Sequence, residues 1–220
     1  MKIGVLASGA GTNLQAIIDR VESGILDASI EIVLTNRPEA AAVERARRHG
    51  IPGQVIERSS FATRKEYDAA LVEILKEKGC EAIVLAGYML VLGKAFISAF
   101  PMRILNIHPA LLPSFPGTDG VANSLAYGVK LTGPTVHFVA EEVDSGPIVI
   151  QAALPAEGDV SALRHSIHAL EHRIFPQAIQ WLAEGRLTVE GRQVHLASSS
   201  RKQIRPDGNW LVWPPLEEGF

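Results

Sequence analysis

Short apolar runs alternate with amphipathic segments across residues 1–108 of this sequence. Five runs rich in β-branched residues are predicted to be strands: KIGVLAS, SIEIVLTN, GQVIE, EAIVLAG and RILNIH. Segments with helical periodicity separate most of them, at about residues 13–24, 38–50 and 63–79, and Pro38 is expected to open the second. Nearly continuous apolar strands between such helices indicate a parallel sheet covered on both faces. The sequence therefore predicts an α/β fold with a Rossmann-like, doubly wound, mostly parallel sheet in three α/β/α layers.

The pattern changes after His108. A proline-rich loop leads to a short predicted helix near Val121–Tyr127 and then to two β runs, PTVHFVA and GPIVIQAAL, which a short acidic loop separates. The short connection predicts that these two runs pair antiparallel. A long helix from about Asp159 to Glu184 and a hairpin turning at Glu190-Gly191 complete the predicted elements. The sheet is therefore expected to carry an antiparallel extension.

These elements predict one domain over residues 1–196, with two halves at residues 1–100 and 101–196, followed by a tail at residues 197–220. The tail is expected to be an irregular strap whose aromatic residues dock on the domain. Its prolines and tryptophans are Pro206, Trp210, Trp213, Pro214 and Pro215.

The composition excludes several classes of function. The chain has 220 residues, a formal net charge of −3 and no basic run of five or more residues, so a nucleic-acid partner has no electrostatic support. The most apolar stretch, residues 83–100, is interrupted by Gly87, Gly93 and Lys94, which argues against a membrane span. We therefore expect a cytoplasmic protein, a monomer or homodimer, that acts on small molecules.

The segment SGAGTNLQAI ends the first predicted strand and opens the first predicted helix. Backbone N–H groups and the helix dipole at such a turn favour an anion, and the two glycines allow close approach of the backbone. Thr12 or Asn13 is expected to cap the helix and to donate to the ligand. A dinucleotide is disfavoured, because Leu14 replaces the third glycine of that fingerprint and Thr35-Asn36-Arg37 ends the second strand without an acid. The loop therefore predicts a site for one phosphate monoester, with a plain strand-to-helix turn as the alternative.

Asn106 and His108 are two residues apart on a predicted strand, so their side chains should leave the same face at its carboxyl end. Open α/β sheets bind ligands at this edge. An amide and an imidazole together suit acyl transfer, because the amide can donate to a developing oxyanion while the imidazole moves protons or, when charged, stabilises that oxyanion.

The histidine needs a carboxylate to orient it, and the loop AEEVDSGP offers Glu141, Glu142 and Asp144. Asp144 precedes a Gly-Pro turn that would fix its position. Such a partner is expected to raise the pKa of His108 toward or above neutral. The alternative is a capping histidine and a separate, solvated acidic turn.

Other histidines, on the long predicted helix and on a predicted strand, are also candidates for a functional role. His165, His168 and His172 have a helical spacing that could gather a metal, but no cysteine accompanies them and Glu171 is placed on a different stripe. No metal site is therefore expected. His137 alternates with apolar neighbours and is expected to be a hydrogen-bonded strand residue.

Eight blocks of the sequence occur in the order and approximate spacing of one enzyme family: SGAGTNLQAI, TNR, ERAR, VLAGYM, NIHPALLPSFPG, TVHFV, DSGPIVIQ and EHRIFPQAI. Over about residues 1–196 the chain closely resembles the glycinamide ribonucleotide formyltransferases, the folate-dependent enzymes of purine biosynthesis. The resemblance implies a formyltransferase fold in which residues 1–100 bind phosphate and residues 101–196 bind folate and carry catalysis. It also implies the reaction, in which the amine of 5-phosphoribosylglycinamide attacks the formyl carbon of the co-substrate 10-formyltetrahydrofolate without a metal.

The resemblance assigns roles motif by motif. The implied catalytic residues are Asn106, His108 and Asp144. The implied ribonucleotide-binding residues are Gly11, Thr12, Asn13, His168 and Glu171. The implied folate-binding residues are Arg64, Met89, Leu90, Val91, Leu92, Asn106, Ala140, Glu141, Glu142, Val143 and Asp144. In this chemistry Asn106 and a charged His108 would face the negative charge on the formyl oxygen, and a water held by Asp144 or His108 would carry the proton.

Two positions depart from the family's pattern. Leu90 stands where the family commonly has Arg, which affects one folate contact. The run TDGVAN, which begins with Thr118-Asp119-Gly120, replaces a histidine-containing run in a loop that is expected to close over the site.

Three alternative functions share parts of this pattern. Methionyl-tRNA formyltransferase and formyltetrahydrofolate hydrolase have the same Asn-x-His motif and downstream Asp. The tRNA enzyme would need a basic carboxy-terminal domain and the hydrolase an amino-terminal regulatory domain, and the phosphate loop favours a ribonucleotide substrate. A ligand-binding sensor on a degenerate site is the third, and the intact Asn106, His108 and Asp144 argue against it.

Overall fold

The structure is a computed structural model that describes residues 1–205 and 209–220. The chain divides into two compact units, Met1–Asn106 and Ile107–Phe220. Of the tail residues noted above, Pro206 lies outside the described residues.

The first unit is a parallel sheet with alternating helices. Its elements are β1 (Lys2–Leu6), α1 (Thr12–Glu22), β2 (Ser29–Thr35), α2 (Ala41–Arg48), β3 (Gly53–Val55), a 3₁₀ turn (Arg58–Ser60), α3 (Arg64–Glu77), β4 (Ala82–Leu85), α4 (Lys94–Ala99) and β5 (Ile104–His108), whose last two residues open the second unit. The strand order is β3-β2-β1-β4-β5, and each neighbouring pair is parallel. Because β–α–β crossovers are right-handed, the reversal of order at β1 puts α1 and α2 on one face and α3 and α4 on the other. The predicted doubly wound sheet is confirmed.

Two helices of this unit differ from the prediction. Pro38 does not open α2, because residues 37–40 form a turn in which the N–H of Ala40 donates to the carbonyl of Arg37 over 3.1 Å. The helix begins only at Ala41. The helix α4 was not predicted, since its six residues are too short to display a helical period.

The second unit is built around an antiparallel strand. Its elements are α5 (Gly120–Tyr127), β6 (Leu131–Thr132), β7 (Thr135–Phe138), β8 (Ile148–Pro155), α6 (Val160–Ala183), β9 (Leu187–Glu190), β10 (Gln193–Leu196), β11 (Gln203–Ile204), β12 (Leu211–Trp213) and β13 (Leu216–Glu217). Strand β8 pairs antiparallel with β6, β7 and β12, and β9 pairs with β10 in a hairpin. The predicted antiparallel extension, short helix, long helix and hairpin are therefore confirmed, and with them the α/β fold class.

The long helix α6 organises the core of the second unit. Asp159 caps its first turn by accepting the N–H of Ala162 over 2.8 Å. Its buried stripe contains Leu163, Ile167, Leu170 and Ile174. Glu171, on the same helix, is a buried carboxylate at 3% exposure. None of the helices in the described part of the chain is long and apolar enough to cross a membrane.

The tail is not the irregular strap that the sequence predicts. Strand β12 pairs with β8 at the edge of the sheet, and β11 pairs with β13. Val212 is buried, but Trp213 is 71% exposed, so the expectation that this tryptophan docks on the domain is wrong. The cause is the two-residue alternation of a strand, which turns Val212 inward and Trp213 outward. The side chain of Gln177 in α6 anchors the tail by accepting the N–H of Glu217 over 2.6 Å.

Candidate active site

The first part of the candidate site lies at the carboxyl end of β5. Asn106 and His108 are both in this strand, so strand geometry turns their side chains to the same face. His108 is 4% exposed. The loop that follows it is fixed by the hydroxyl of Thr135 in β7, which donates to the carbonyl of Ala110 over 2.7 Å and accepts the N–H of Leu112 over 3.1 Å.

The second part is the loop between β7 and β8, which carries Asp144. A Cβ atom placed on Gly146 would lie 1.7 Å from the carbonyl oxygen of Phe138, so the close approach of these two backbones requires glycine. The N–H of Phe138 donates to the carbonyl of Pro147 over 2.9 Å. Asp144 itself has a φ of 51°, a left-handed conformation that Asp tolerates better than most residues. The loop backbone therefore fixes the position of this carboxylate.

The two parts meet at Asp144. Its Oδ2 lies 3.3 Å from Nδ1 of His108 and accepts the N–H of Gly117 over 2.8 Å. Its Oδ1 lies 3.5 Å from Nε2 of His137. On the other side of the first imidazole, Nε2 of His108 lies 2.8 Å from the carbonyl oxygen of Phe115. One carboxylate thus lies between two histidine rings.

The protonation states of His108 and Asp144 depend on burial of the two side chains as well as on nearby charges. Burial lowers the pKa of His108 from its ordinary value of 6.5, and the carboxylate of Asp144 and the carbonyl of Phe115 raise it without offsetting the burial. Burial raises the pKa of Asp144, but a hydrogen bond from His137, the N–H of Gly117 and the charge of His108 outweigh it, and the net shift is downward. The expectation that the pKa of His108 rises toward or above neutral is wrong, because the ring is buried. The result is an ionised carboxylate beside a neutral imidazole that can exchange a proton.

His137 is a member of this group that was not predicted from the sequence. The ring is a hydrogen-bonded strand residue, as predicted, with Nδ1 2.9 Å from the carbonyl oxygen of Phe138. Its Nε2 also lies close to Oδ1 of Asp144, seven residues later in the chain. This contact depends on the path of the β7–β8 loop, which the local sequence pattern does not indicate. The only signal in the sequence is a polar ring on the buried strand β7.

The glycine loop of the first unit runs from β1 into α1. Gly11 is the cap residue of α1, with a φ of 72°, and Thr12 is the first helical residue. No described side chain caps this helix, so the expectation that Thr12 or Asn13 does so is wrong. A Cβ on Gly11 would lie 3.0 Å from Cα of Ala42, and Nε of Arg45 donates to the carbonyl of Ala10 over 2.7 Å. The first turn of α1 is therefore uncapped and braced by α2, a geometry that suits an anion.

Ser8, which was not predicted as a site residue, connects this loop to two neighbouring strands. Its hydroxyl donates to Oδ1 of Asn36, after β2, and accepts the N–H of Met89, after β4, over 2.9 Å. Its own N–H donates to the carbonyl of Gly87 over 3.1 Å. One hydroxyl thus fixes three carboxyl-terminal strand ends relative to each other.

Arg64 lies at the start of α3, which begins with a capping box formed by Thr63 and Glu66. Its guanidinium donates to the carbonyl of Val91. One helical turn later, Asp68 accepts the N–H of Gly93 over 2.8 Å. The structure therefore brings Arg64 together with the predicted folate segment. Within that segment the side chains are exposed, half-buried, exposed and buried in turn: Met89, Leu90, Val91 and Leu92.

The two predicted residues on α6 are neighbours. Nε2 of His168 lies 4.0 Å from Oε2 of Glu171. The expectation that Glu171 lies on a different stripe from the histidines is wrong, because residues at i and i+3 lie side by side on a helix. Burial lowers the pKa of His168, with the charges of Arg164 and His165 adding to the effect. Among the described residues, no group of three metal-binding side chains is present.

The remaining predicted residues lie on loops of the second unit. Of the segment Ala140 to Asp144, Asp144 lies beside His108, and Glu141, Glu142 and Val143 are exposed. In the run that departs from the family's pattern, Asp119 occupies the N-cap position of α5 with a φ of 60°, and its side chain makes no capping hydrogen bond. A Cβ on Gly120 would lie 3.3 Å from Nε2 of His108, so the start of α5 packs against the imidazole.

Known proteins are similar to this chain in sequence. The formyl transferase family profile matches residues 1–179. Over 192 residues the chain is 40% identical to phosphoribosylglycinamide formyltransferase of Escherichia coli K12, covering 85% of this chain and 89% of that protein. It is 42% identical over 186 residues to the human trifunctional purine biosynthetic protein adenosine-3, covering 84% of this chain and 18% of the relative. The chain therefore spans only a small part of these trifunctional relatives.

A solved structure agrees with both comparisons. The crystal structure of glycinamide ribonucleotide transformylase 1 from Symbiobacterium toebii matches with a TM-score of 0.89 and 46% identity, over 90% of this chain and 94% of that one. The resemblance first drawn from eight sequence blocks is thus confirmed over most of the chain. On these grounds the chain belongs to the formyl transferase family.

Proposed function

We propose that this chain transfers a formyl group from 10-formyltetrahydrofolate to the amine of 5-phosphoribosylglycinamide, giving formylglycinamide ribonucleotide and tetrahydrofolate in purine biosynthesis. The observation that carries the proposal is the buried contact between the imidazole of His108 and the carboxylate of Asp144. A protein that only binds its ligands does not require such a pair. Relatives at 40–42% identity are named phosphoribosylglycinamide formyltransferase or purine biosynthetic protein, which supports this substrate.

The proposed chemistry uses the protonation states of the free site. The amine nitrogen forms a bond to the formyl carbon, and the bond from that carbon to the folate nitrogen breaks. One proton leaves the amine and one reaches the departing folate nitrogen. A neutral His108 is suited to accept and return that proton, directly or through a water, while ionised Asp144 stabilises the imidazolium that forms in between. The amide of Asn106 donates to the negative charge on the formyl oxygen.

We assign binding of the ribonucleotide to two groups of residues. The uncapped first turn of α1, at Gly11, Thr12 and Asn13, binds the phosphate through backbone N–H groups. Glu171, with His168 beside it, binds the glycinamide end, because a buried carboxylate favours the donor groups of an amine and an amide. Residues 1–100 are thus the proposed phosphate-binding half, and residues 101–196 the catalytic half.

The folate is assigned to loop segments in the same way. Its proposed contacts are Arg64, Met89, Leu90, Val91, Leu92, Asn106 and residues 140–144. The exposed apolar side chains of Met89 and Val91 suit an aromatic ring, and backbone groups of the segment suit its polar edge. Leu90 supplies a main-chain contact that does not depend on the missing Arg. The remaining parts of the proposal are a cytoplasmic monomer or homodimer without a metal or a nucleic-acid partner.

A steady-state assay tests the proposal. Protein is mixed with 5-phosphoribosylglycinamide and 10-formyltetrahydrofolate, and formation of tetrahydrofolate is followed. We expect turnover only with both substrates present. Equal turnover without the glycinamide would indicate the hydrolase instead, and binding of both ligands without turnover would indicate a sensor.

A further inference from the structure

A buried carboxylate on α3 contacts the end of the segment at residues 89–92, to which folate binding is proposed. The side chain of Asp68 is 4% exposed, and its Oδ2 accepts the N–H of Gly93, the residue after the segment, over 2.8 Å. A carboxyl group keeps an accepting oxygen even when it is protonated, so this contact does not depend on the charge of Asp68. The carboxyl group therefore fixes the point at which the chain leaves the segment.

Asp68 and Gly93 approach too closely for a side chain to fit between them. A Cβ atom placed on Gly93 would lie 2.5 Å from Oδ2 of Asp68, and the next nearest atom, Cγ of the same residue, would be 3.7 Å away. Gly93 has a φ of −83°, which any residue can adopt, so its backbone conformation does not require glycine. The need for glycine here comes from the contact with Asp68.

Two further side chains of α3 hold the same stretch of chain. The guanidinium of Arg64 donates to the carbonyl of Val91, and its Nε lies 3.8 Å from Oδ2 of Asp68. The hydroxyl of Tyr67 is hydrogen-bonded to that of Tyr88, which directly precedes the segment, and both rings are buried. Because residues at i, i+3 and i+4 share one face of a helix, a single face of α3 contacts the segment before, within and after it.

The other oxygen of this carboxyl group shows that Asp68 is a poor choice for stability alone. Its Oδ1 has no hydrogen-bond partner among residues 1–205 and 209–220. A buried polar atom without a partner lowers the stability of the fold. Burial also has the largest effect on the pKa of Asp68, which is raised. The contact with Gly93 is therefore the main interaction that this side chain contributes.

We propose that Asp68 is a positioning residue for the folate. By holding Gly93, it keeps the backbone groups of residues 89–92 in the arrangement that binds the polar edge of the folate ring. Asp68 acts through this segment and is given no contact with substrate. The kinetic part of the inference rests on the proposed function, whereas the ordering of the segment by Asp68 does not.

Steady-state kinetics of Asp68→Ala test the positioning role. We expect KM for 10-formyltetrahydrofolate to rise about fivefold to tenfold, the effect of losing one hydrogen bond, while KM for 5-phosphoribosylglycinamide stays unchanged. Asp68→Asn keeps an oxygen that accepts the N–H of Gly93, so it should restore KM for the folate to near the wild-type value. An equal rise of both Michaelis constants in Asp68→Ala, or no rise in either, would overturn the inference.

A matched control separates this role from general loosening of the first unit. Leu75 lies on the same helix about two turns later, is fully buried and packs against Gly4 of β1. Leu75→Ala should lower the melting temperature without changing KM for the folate. If Asp68→Ala and Leu75→Ala change KM for the folate alike, Asp68 is only structural and the inference is wrong.

The close approach of the two residues allows a second kinetic test. Gly93→Ala should raise KM for the folate, because the added methyl group pushes the segment away from Asp68. Once Asp68→Ala has removed the carboxyl group, adding Gly93→Ala should raise KM little further, since residues in contact do not act independently. Multiplicative effects of the two substitutions would show that the contact does not position the segment.

Amide hydrogen exchange of the ligand-free protein, resolved by NMR, tests the ordering without any turnover. Relative to the amides of β4, we expect those of residues 89–93 to exchange faster in Asp68→Ala and at the wild-type rate in Leu75→Ala. Unchanged exchange in Asp68→Ala would overturn the inference even if the protein transfers formyl groups. If the wild-type protein transfers none, the proposed function fails, and the exchange rates still decide whether Asp68 orders the segment.

Discussion

Nδ1 of His108 lies 3.3 Å from Oδ2 of Asp144, and the two side chains are only 5% and 10% exposed. The carboxylate favours a proton on the ring, but burial of the ring has the larger opposite effect, and the pKa of His108 is lowered. The free site therefore contains a proton acceptor instead of a standing positive charge on His108. Its chemistry depends on how this pair exchanges protons with substrate.

Replacing His108 by Ala should lower kcat by about two decades or more, since the group that accepts and returns the proton is lost. Steady-state kinetics measure this directly. His195→Ala is the matched control, because that histidine is exposed on the hairpin and should leave kcat unchanged. Activity of His108→Ala within about threefold of wild type would contradict the role given to the ring.

Replacing Asp144 by Asn removes the charge and keeps the shape. Because the carboxylate raises the pKa of His108, its loss should lower that pKa further and move the corresponding limb of the kcat–pH profile to lower pH. We also expect kcat to fall about a hundredfold. Profiles recorded between about pH 5 and pH 8 test this, and an unmoved limb would show that Asp144 is not the electrostatic partner of His108.

The same pair predicts how stability depends on pH. The pKa of His108 is lower in the folded protein, so the unfolded chain binds the proton more readily and the free energy of unfolding falls as pH drops through 6.5. The pKa of Asp144 is also lowered, so its contribution is present above 3.8 and is lost as pH falls further. Urea titrations at a series of pH values measure both steps. The first step should become smaller in His108→Gln, with the remainder due to His168, and the second should become smaller in Asp144→Asn, with the remainder due to carboxylates such as Glu184. Steps of unchanged size in these variants would assign them to other groups.

Gly11→Ala tests the phosphate loop against a control in the same turn. Gly11 has a φ of 72° and no room for a Cβ beside Ala42, whereas Gly9 has open space around it. A left-handed Ala costs about 1–2 kcal/mol and would displace the turn. We expect Gly11→Ala to raise KM for the ribonucleotide and to leave KM for the folate unchanged, with Gly9→Ala close to wild type. Equal effects of the two variants would mean that the loop geometry does not bind the phosphate.

Gly146→Ala tests how the carboxylate is placed. The added Cβ would meet the carbonyl oxygen of Phe138 at 1.7 Å, so the β7–β8 loop must move and carry Asp144 away from His108. Overpacking of this kind costs about 1–3 kcal/mol or more. We expect a lower melting temperature and a loss of kcat larger than the stability loss explains at the assay temperature. A variant that is destabilised but retains wild-type kcat would show that this glycine does not position Asp144.

The fold class was predictable because the spacing of apolar residues along each segment indicates whether that segment is a strand or a helix. Apolar strands and amphipathic helices determine the parallel order of the first unit, and the short acidic connection determines the antiparallel pairing of β7 and β8. The residues at which helices begin were less predictable, since Pro38 lies in a turn and α2 begins only at Ala41. The outward side of Trp213 also depends on the pairing of β12 with β8, which its own sequence does not encode.

The site was predictable only where residues share a strand or a motif. Asn106 and His108 follow from two-residue spacing, but the contacts of Ser8 and His137 join segments far apart along the chain or across a folded loop. The direction of the pKa shift of His108 was predicted wrongly for the same reason. Burial of the ring depends on the packing of β5 and its neighbours, and no local pattern reports it.

Formyl transfer to the glycinamide can be observed by following the formyl carbon itself. In a single turnover, protein in excess is mixed with 10-formyltetrahydrofolate labelled with ¹³C in the formyl group and with 5-phosphoribosylglycinamide, and the label is followed by NMR. We expect the label to appear as the formamide of formylglycinamide ribonucleotide, and we expect His108→Ala to abolish this signal on the same time scale. Label released as free formate, or retained on the folate, would contradict formyl transfer to the glycinamide.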